Sequence, residues 1–149
     1  MTARSVVVGT DGRAKAYRPI PESDRAAAIA AGLAAYEQGD FFEAHEHLEP
    51  AWMGTDDLVE RAWLQGLIKL AAAYVHGVRG NPAGIARNLV GARSRLAEAA
   101  ARTPMVAIPD GSRLDLGALV AAIDRRVADL AAHPAGPTLK PPALPRSAR

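Results

Sequence analysis

The feature that most restricts the fold is a long segment of mostly apolar residues, Leu58–Val78. Thr55, Asp56 and Asp57 precede it and supply an N-cap side chain and acidic residues for a first helical turn. Because few of its positions are polar, such a helix must be covered on most of its surface. The segment therefore predicts the most buried helix of the domain, the third in chain order.

Four further segments have the apolar spacing of amphipathic helices. They are residues 22–38, 41–53, 82–102 and 112–133. Ser112, with Asp115 three positions on, is the predicted N-cap of the last one. Gly80-Asn81-Pro82 has a C-terminal glycine, an N-cap residue and a proline for the first helical position, so the fourth helix should return antiparallel to the third. The linker over residues 103–111 is expected to cross one end of the bundle. The chain is thus predicted to be all-α, a compact bundle of about five helices.

The second predicted helix, 41–53, has one clear start signal and one conflict. Asp40 and Glu43, three residues apart, form a variant capping box at its start. Pro50 lies inside the segment, where its ring removes a backbone donor and crowds the carbonyl of Glu46. We therefore expect a kink in this helix or an end before Met53.

Both ends of the chain lack helical periodicity. Residues 1–21 contain a β-prone run at 5–8 and a turn signal at 10–12, which predict an extended arm lying on the domain. Residues 134–149 contain five prolines and predict an extended, disordered tail, with recognition by a peptide-binding protein as the alternative. The helical bundle domain is then residues 22–133.

Composition excludes several classes of function. The chain has no cysteine, so disulfides, thiolate zinc sites, iron–sulfur clusters and cysteine nucleophiles are excluded. Its 18 basic and 16 acidic side chains leave a formal net charge of +2, a field too weak to favour nucleic acid as a partner. No secretory signal is recognisable at the start, and no apolar run approaches the roughly 20 residues that span a bilayer. We expect a cytoplasmic protein without membrane segments.

A polar pair lies on the edge of the second helix's buried face. His45, Glu49 and Trp52 stand at i, i+4 and i+7, within roughly 60° of one another around the helix. Ala44 and Leu48 define the adjacent apolar sector. The His/Glu pair is therefore expected where the core meets its margin.

The third helix has a matching polar stripe. Gln65, Lys69 and His76 stand at i, i+4 and i+11, within about 40° of one another on an otherwise apolar helix. Because the connection between the second and third helices is short, the two are expected to pack antiparallel. That packing brings the stripe near His45 and Glu49.

Two interpretations of this polar cluster stay open. In the first, Glu49 and Lys69 form a buried ion pair that fixes the register of the two helices, because an unpaired buried charge is costly. In the second, the cluster lines a pocket for a small polar or anionic ligand, with an aromatic wall. The candidate ligand-binding residues are His45, Glu46, Glu49, Trp52, Gln65 and Lys69, and the candidate wall residues are Phe41, Trp52, Trp63 and Tyr74.

An enzyme is the alternative function. No cofactor is expected from the motifs, but His45, Glu49 and His76 could supply three ligands to a divalent metal, with Glu46 as a substitute for the third. A metal-assisted hydrolase would then use His45 as base or ligand and Glu49 to orient it. The His-Glu-x-x-His motif of metalloproteases is absent, and the sequence favours a binding or structural protein over an enzyme. In a third hypothesis, the first and fifth helices present a surface to a second copy of the chain.

The residues around the cluster resemble those of an uncharacterised microbial family, domain-of-unknown-function family 309 (DUF309). Its pattern, aromatic-Glu-Ala-His-Glu-x-x-Glu-x-x-Trp followed by Leu-Gln-Gly-Leu-x-x-x-Ala, is matched within residues 38–96, except that Pro50 replaces the more usual helix-forming residue. The resemblance implies a small helical bundle, and it points to no particular activity because none is established for the family. It also implies a shared polar cluster at His45, Glu46, Glu49, Trp52 and Gln65.

Overall fold

The protein is described by a computed structural model that covers residues 6–8, 14–78, 82–134 and 140–147, with side chains described for 17–75, 82–134 and 140–147. Most of these residues are helical, which confirms the predicted all-α bundle. The helices are α1 (Glu22–Glu37), α2 (Phe41–Met53), α3 (Leu58–Val78), α4 (Pro82–Ala100) and α5 (Leu116–Ala132). The strands are β1 (Val6–Val8), β2 (Ala14–Ala16), β3 (Met105–Ala107), β4 (Arg113–Asp115) and β5 (Arg146–Ser147).

Helix α3 lies in the middle of the bundle, with α2 packed on one side and α4 on the other. Helix α1 packs on α2, and α5 packs on α4. Leu64, Leu70 and Ala71 of α3 are completely buried, in agreement with the predicted central helix. Because α3 contacts both α2 and α4, its polar residues lie where these three helices meet.

A glycine allows α3 and α4 to approach closely. A Cβ atom on Gly66 would lie 2.6 Å from Cγ and 3.2 Å from the backbone nitrogen of Leu96, and that leucine is fully buried in α4. Any side chain at this position would push the two helices apart. The glycine of the Leu-Gln-Gly-Leu segment thus sets the spacing of the helix pair.

The N-caps agree with the sequence at one helix and differ at two others. Asp40 accepts a hydrogen bond from the backbone N–H of Glu43, as predicted for α2. Helix α3 is capped by Asp57, which accepts from the N–H groups of Val59 and Glu60, and not by Thr55. The Thr55 hydroxyl instead accepts from the N–H of Asp57, so it forms the turn before the helix.

Helix α5 also begins later than predicted. Its N-cap is Asp115, whose side chain accepts from the N–H of Ala118, and not Ser112. Ser112 is bound to the Asp110 carboxylate through both its hydroxyl and its backbone N–H. The serine thus stabilises the turn between β3 and β4, and the helix starts after that hairpin.

The proline inside α2 does not end the helix early. Helix α2 continues through Pro50 to Met53 and is capped at Gly54. The end of the N-terminal arm packs here, where the N–H of Arg18 donates to the carbonyl of Met53 at 2.8 Å and Ile20 lies against Gly54. The predicted arm therefore contacts the C-terminal end of α2.

The arm begins as a two-stranded antiparallel ladder. β1 pairs with β2, with Val6 opposite Ala16 and Val8 opposite Ala14. The predicted turn at residues 10–12 lies outside the described residues. None of the helices in the described ranges is long and apolar enough to cross a membrane.

The predicted linker and tail combine into a small sheet. β3 pairs with β4, and β4 also pairs with β5, both antiparallel, with Arg113 opposite Ser147. Sequence periodicity could not indicate strands of only two or three residues, and the β4–β5 pairing joins residues more than thirty positions apart. The predicted start of the fourth helix at Pro82 is confirmed, but the cap residue before it lies outside the described residues.

Residues 140–147 pack on the bundle, where the sequence predicted a disordered tail. The Tyr36 hydroxyl donates to the carbonyl of Pro142 at 2.7 Å, and Leu144 is buried in the core. The Arg146 guanidinium contacts two carboxylates, those of Glu37 and Asp110, each at 2.8 Å. Apolar burial and charge pairing between distant parts of the chain thus hold a segment whose prolines exclude helical structure. The predicted limits of the domain, 22–133, stay a prediction.

Candidate functional site: a groove at the seam of three helices

The polar face of α2 is half-buried, as its sequence position predicts. The His45 side chain is 31% exposed and that of Glu49 is 47% exposed. The Nδ1 atom of His45 lies 3.7 Å from a carboxylate oxygen of Glu49 and 3.7 Å from one of Glu46. The histidine is therefore placed between two carboxylates of its own helix, at distances longer than a hydrogen bond.

The polar stripe of α3 faces the same seam. Gln65 and Lys69 are both half-buried, one turn apart, between fully buried apolar neighbours. The helix also carries His76, whose side chain lies outside the described residues. The structure thus describes the side chains of two of the three stripe residues.

A groove with a volume of about 300 Å³ runs between α2, α3 and α4. Its lining residues are His45, Glu49, Trp52, Gln65, Ile68, Lys69, Ala72 and Asn88. Five of the six predicted ligand-binding residues therefore line one groove. Asn88 was not predicted, because the face that α4 turns toward α2 and α3 depends on how the helices cross.

The sixth candidate, Glu46, lines a neighbouring groove of about 330 Å³ beside the N-terminal arm. Arg18, Ile20, Pro50 and Met53 line this second groove, and Glu49 borders both. Successive residues lie about 100° apart around a helix, so Glu46 faces the N-terminal arm while His45 faces the first groove. The two grooves thus meet along one edge of α2.

The buried ion pair that the sequence suggested between Glu49 and Lys69 is absent from the described part of the chain. No oxygen of Glu49 comes within 4.0 Å of the Lys69 ammonium, and the one ionisable side chain near Glu49 among described residues is His45, at 3.7 Å. No described residue forms a hydrogen bond with the Gln65 amide. Glu49, Gln65 and Lys69 thus line an open groove and are not engaged with one another.

The Lys69 side chain lies along α4 at a glycine. A Cβ atom on Gly91 would lie 3.2 Å from Cδ and 3.6 Å from Nζ of Lys69. The absence of a side chain at Gly91 leaves room for the lysine stem across the helix surface. The Lys69 side chain is thus packed along α4 and also lines the groove.

Trp52 is the one predicted aromatic wall residue that lines the groove. Its ring is covered by the Arg61 guanidinium, whose central carbon lies 5.1 Å from the ring centroid. Arg61 also donates to the backbone carbonyls of Trp52 and Thr55 at 3.1 and 3.0 Å. Burial lowers the pKa of Arg61, while Tyr17 opposes that effect. Arg61 thereby caps the end of α2 and fixes the tryptophan.

The other predicted wall residues lie elsewhere. Phe41 contacts the rings of Tyr36 and Tyr74 at centroid distances of 5.4 and 5.7 Å. Burial raises the pKa of Tyr74 to about 12, so this hydroxyl stays neutral. Trp63 is buried and borders a separate groove near Pro109. These rings are part of the core.

The metal prediction is still open. Within the described ranges, no group of three or more His, Asp or Glu side chains has the geometry to hold a metal ion. The third predicted ligand, His76, has a side chain outside those ranges. A divalent metal at His45, Glu49 and His76, and the hydrolase that depends on it, therefore stay predictions.

Residues 29–88 match a known family, described as a domain of unknown function (DUF309). The matched segment contains α2, α3 and the start of α4, so it includes every residue that lines the groove. The family resemblance seen in the sequence is thus confirmed. No curated protein and no solved structure matches the chain.

Proposed function

We propose that the DUF309 segment is a binding module whose groove between α2, α3 and α4 receives a small ligand with an anionic group. One observation carries the proposal: Lys69 is half-buried at the groove and forms no ion pair with any described residue. A partly desolvated ammonium is stabilised by an opposite charge. A ligand carboxylate or phosphate would supply that charge.

The remaining lining residues suit a small polar molecule. Gln65 and Asn88 supply amide groups, and the Asn88 amide is oriented by its hydrogen bond to the Gly84 carbonyl at 3.0 Å. Trp52, Ile68 and Ala72 supply apolar surface. Ligand sites combine mostly apolar walls with a few polar groups, and about 300 Å³ lies at the small end of their range.

The size and polarity together favour a metabolite-sized ligand over a macromolecule. The groove is formed by side chains of three rigid helices, and Trp52 is fixed by Arg61. A site held by packed elements needs little ordering when the ligand binds, which favours affinity. We therefore propose that these residues bind a ligand, and the proposal includes no catalytic step.

Titration with butanoate and inorganic phosphate, followed by ¹H–¹⁵N NMR, tests the proposal. The side-chain amides of Gln65 and Asn88 and the indole N–H of Trp52 should shift in a saturable way with at least one anion at constant ionic strength. Lys69→Met should weaken the binding that causes these shifts at least tenfold, because it removes the lysine that lines the groove.

Lys140→Met is the matched control, since Lys140 is exposed and lies outside the groove. It should bind like the wild type. If neither anion moves these resonances, or if both lysine variants weaken binding equally, the groove is not an anion site.

A further inference from the structure

Two opposite charges line the groove from different helices and do not pair with each other. Glu49 belongs to α2 and Lys69 belongs to α3, and both border the same space of about 300 Å³. Each is half-buried. With a neutral His45, the charged side chains that line the groove sum to zero.

This balance disfavours a ligand that is only anionic. An anion placed at Lys69 would also experience repulsion from Glu49, and from Glu46 at the adjoining edge. A ligand that also carries a cationic group would turn the same carboxylate into an attraction. The gain is largest where water is partly excluded, as it is for these half-buried side chains.

We infer that the ligand of this groove is a small zwitterion, with its anionic group at Lys69 and its ammonium group at Glu49. The inference rests on the proposed function and adds the second charge. His45 lies 3.7 Å from Glu49 and lines the same wall, so the ligand ammonium would be received by a carboxylate with an imidazole beside it. Trp52 lines the same groove one turn further along α2.

A series of ω-amino acids, which differ only in the distance between their two charges, tests the inference. The probes are 3-aminopropanoate, 4-aminobutanoate, 5-aminopentanoate and 6-aminohexanoate, each compared with the carboxylate of equal length that lacks the amine. At least one of the four should bind about two- to fivefold more tightly than its matched carboxylate, as one added charge contact of this kind provides. The length that binds best reports the separation of the two charges.

Glu49→Gln should remove the advantage of the amine and leave the affinity for the carboxylates equal or higher. Glu43→Gln is the matched control, because Glu43 lies on α2 outside the groove and has the same long i, i+4 contact with a histidine, His47. It should keep the advantage. Circular dichroism of each variant confirms that the helices are retained.

Failure of the inference and failure of the proposed function give different results. If carboxylates bind at Lys69 but no ω-amino acid binds more tightly than its partner, the zwitterion is wrong and the anion site stands. If the amine advantage persists in Glu49→Gln, the assigned cation position is wrong. If no probe binds, the binding function itself fails, and the inference fails with it.

Discussion

The contact between α3 and α4 at Gly66 yields a stability prediction that can be calculated from the structure. In Gly66→Ala the new Cβ would lie 2.6 and 2.8 Å from side-chain atoms of Leu96 and 3.2 Å from its backbone nitrogen. Leu96 is fully buried, so its side chain has no free space to move into, and its backbone nitrogen is held within α4. The helices must therefore separate or the leucine must leave its rotamer.

Two opposing contributions set the magnitude. Overpacking of a filled core costs roughly 1–3 kcal/mol. Replacing a glycine inside a helix by alanine returns about 1 kcal/mol of helix propensity. Because one contact involves backbone that cannot rotate away, we expect the upper part of the cost, and a net loss of about 1–2 kcal/mol in the free energy of unfolding.

Gly91→Ala is the control for the propensity contribution. It makes the same substitution inside α4, but its Cβ would meet only the flexible stem of Lys69, at 3.2 Å. That variant should be neutral or up to about 1 kcal/mol more stable than the wild type. Urea denaturation followed by circular dichroism gives midpoints and slopes for all three proteins. A Gly66→Ala variant as stable as Gly91→Ala would refute the close packing of the two helices.

Two further predictions concern single charges. The hydrogen bonds from the Ser112 hydroxyl and N–H, together with Arg146, lower the pKa of Asp110 from 3.8 to about 2. Because the folded-state pKa is depressed, this stabilisation is present above pH 4 and is lost as the pH falls through about 2. Asp110→Asn should therefore lose on the order of 1 kcal/mol at pH 6, a value reduced for solvent screening, and clearly less at pH 2, where about half of the folded-state carboxylates are protonated. An unchanged difference at pH 2 in urea denaturation contradicts this. Glu49→Gln should change the free energy of unfolding by less than about 0.5 kcal/mol, since its carboxylate is 47% exposed with one long contact to His45. A loss above about 2 kcal/mol in the same assay would instead indicate a buried ion pair.

The helices could be predicted because their signals are local. Apolar spacing within α2 to α5 and residues such as Asp40 act over a few positions, and α3 runs over the predicted range. The wrong caps, Thr55 and Ser112, lie two or three residues before the true ones. Asp57 follows Thr55 and Asp115 follows Ser112, and an aspartate is as suitable for an N-cap as threonine or serine. The turn before each helix decides which side chain accepts from its first N–H groups.

The small sheet and the packed C-terminal segment could not be predicted because the contacts that stabilise them are not local in the sequence. β4 and β5 are stabilised by a partner more than thirty residues away. The proline pattern of the tail indicates only that it is not helical, and it carries no information about Leu144 entering the core. The hydroxyl of Tyr36 and the carboxylate of Glu37, both at the end of α1, fix the segment, and neither is marked by any local motif.

For the candidate site, the sequence determined which residues share a face but not what they contact. Helical geometry places His45, Glu49 and Trp52 on one side of α2, and the groove contains all three. Whether Glu49 and Lys69 pair depends on the separation of α2 and α3, and that separation is set by packing along the whole helix pair. The ion pair was the wrong alternative because the charges lie on opposite sides of a space and not in contact.

The close packing of α3 and α4 also determines the shape of the groove. Gly66 and Lys69 are one turn apart on α3, and both face α4. Gly66 packs against Leu96, and Lys69 packs against Gly91. The short distance at Gly66 brings Gly91 against the Lys69 side chain, which is packed along α4 and lines the groove. A helix separation that relieves the clash in Gly66→Ala would also withdraw the support of Lys69. Gly66 therefore belongs to the same structural unit as the polar residues around it, through the position it gives to α4.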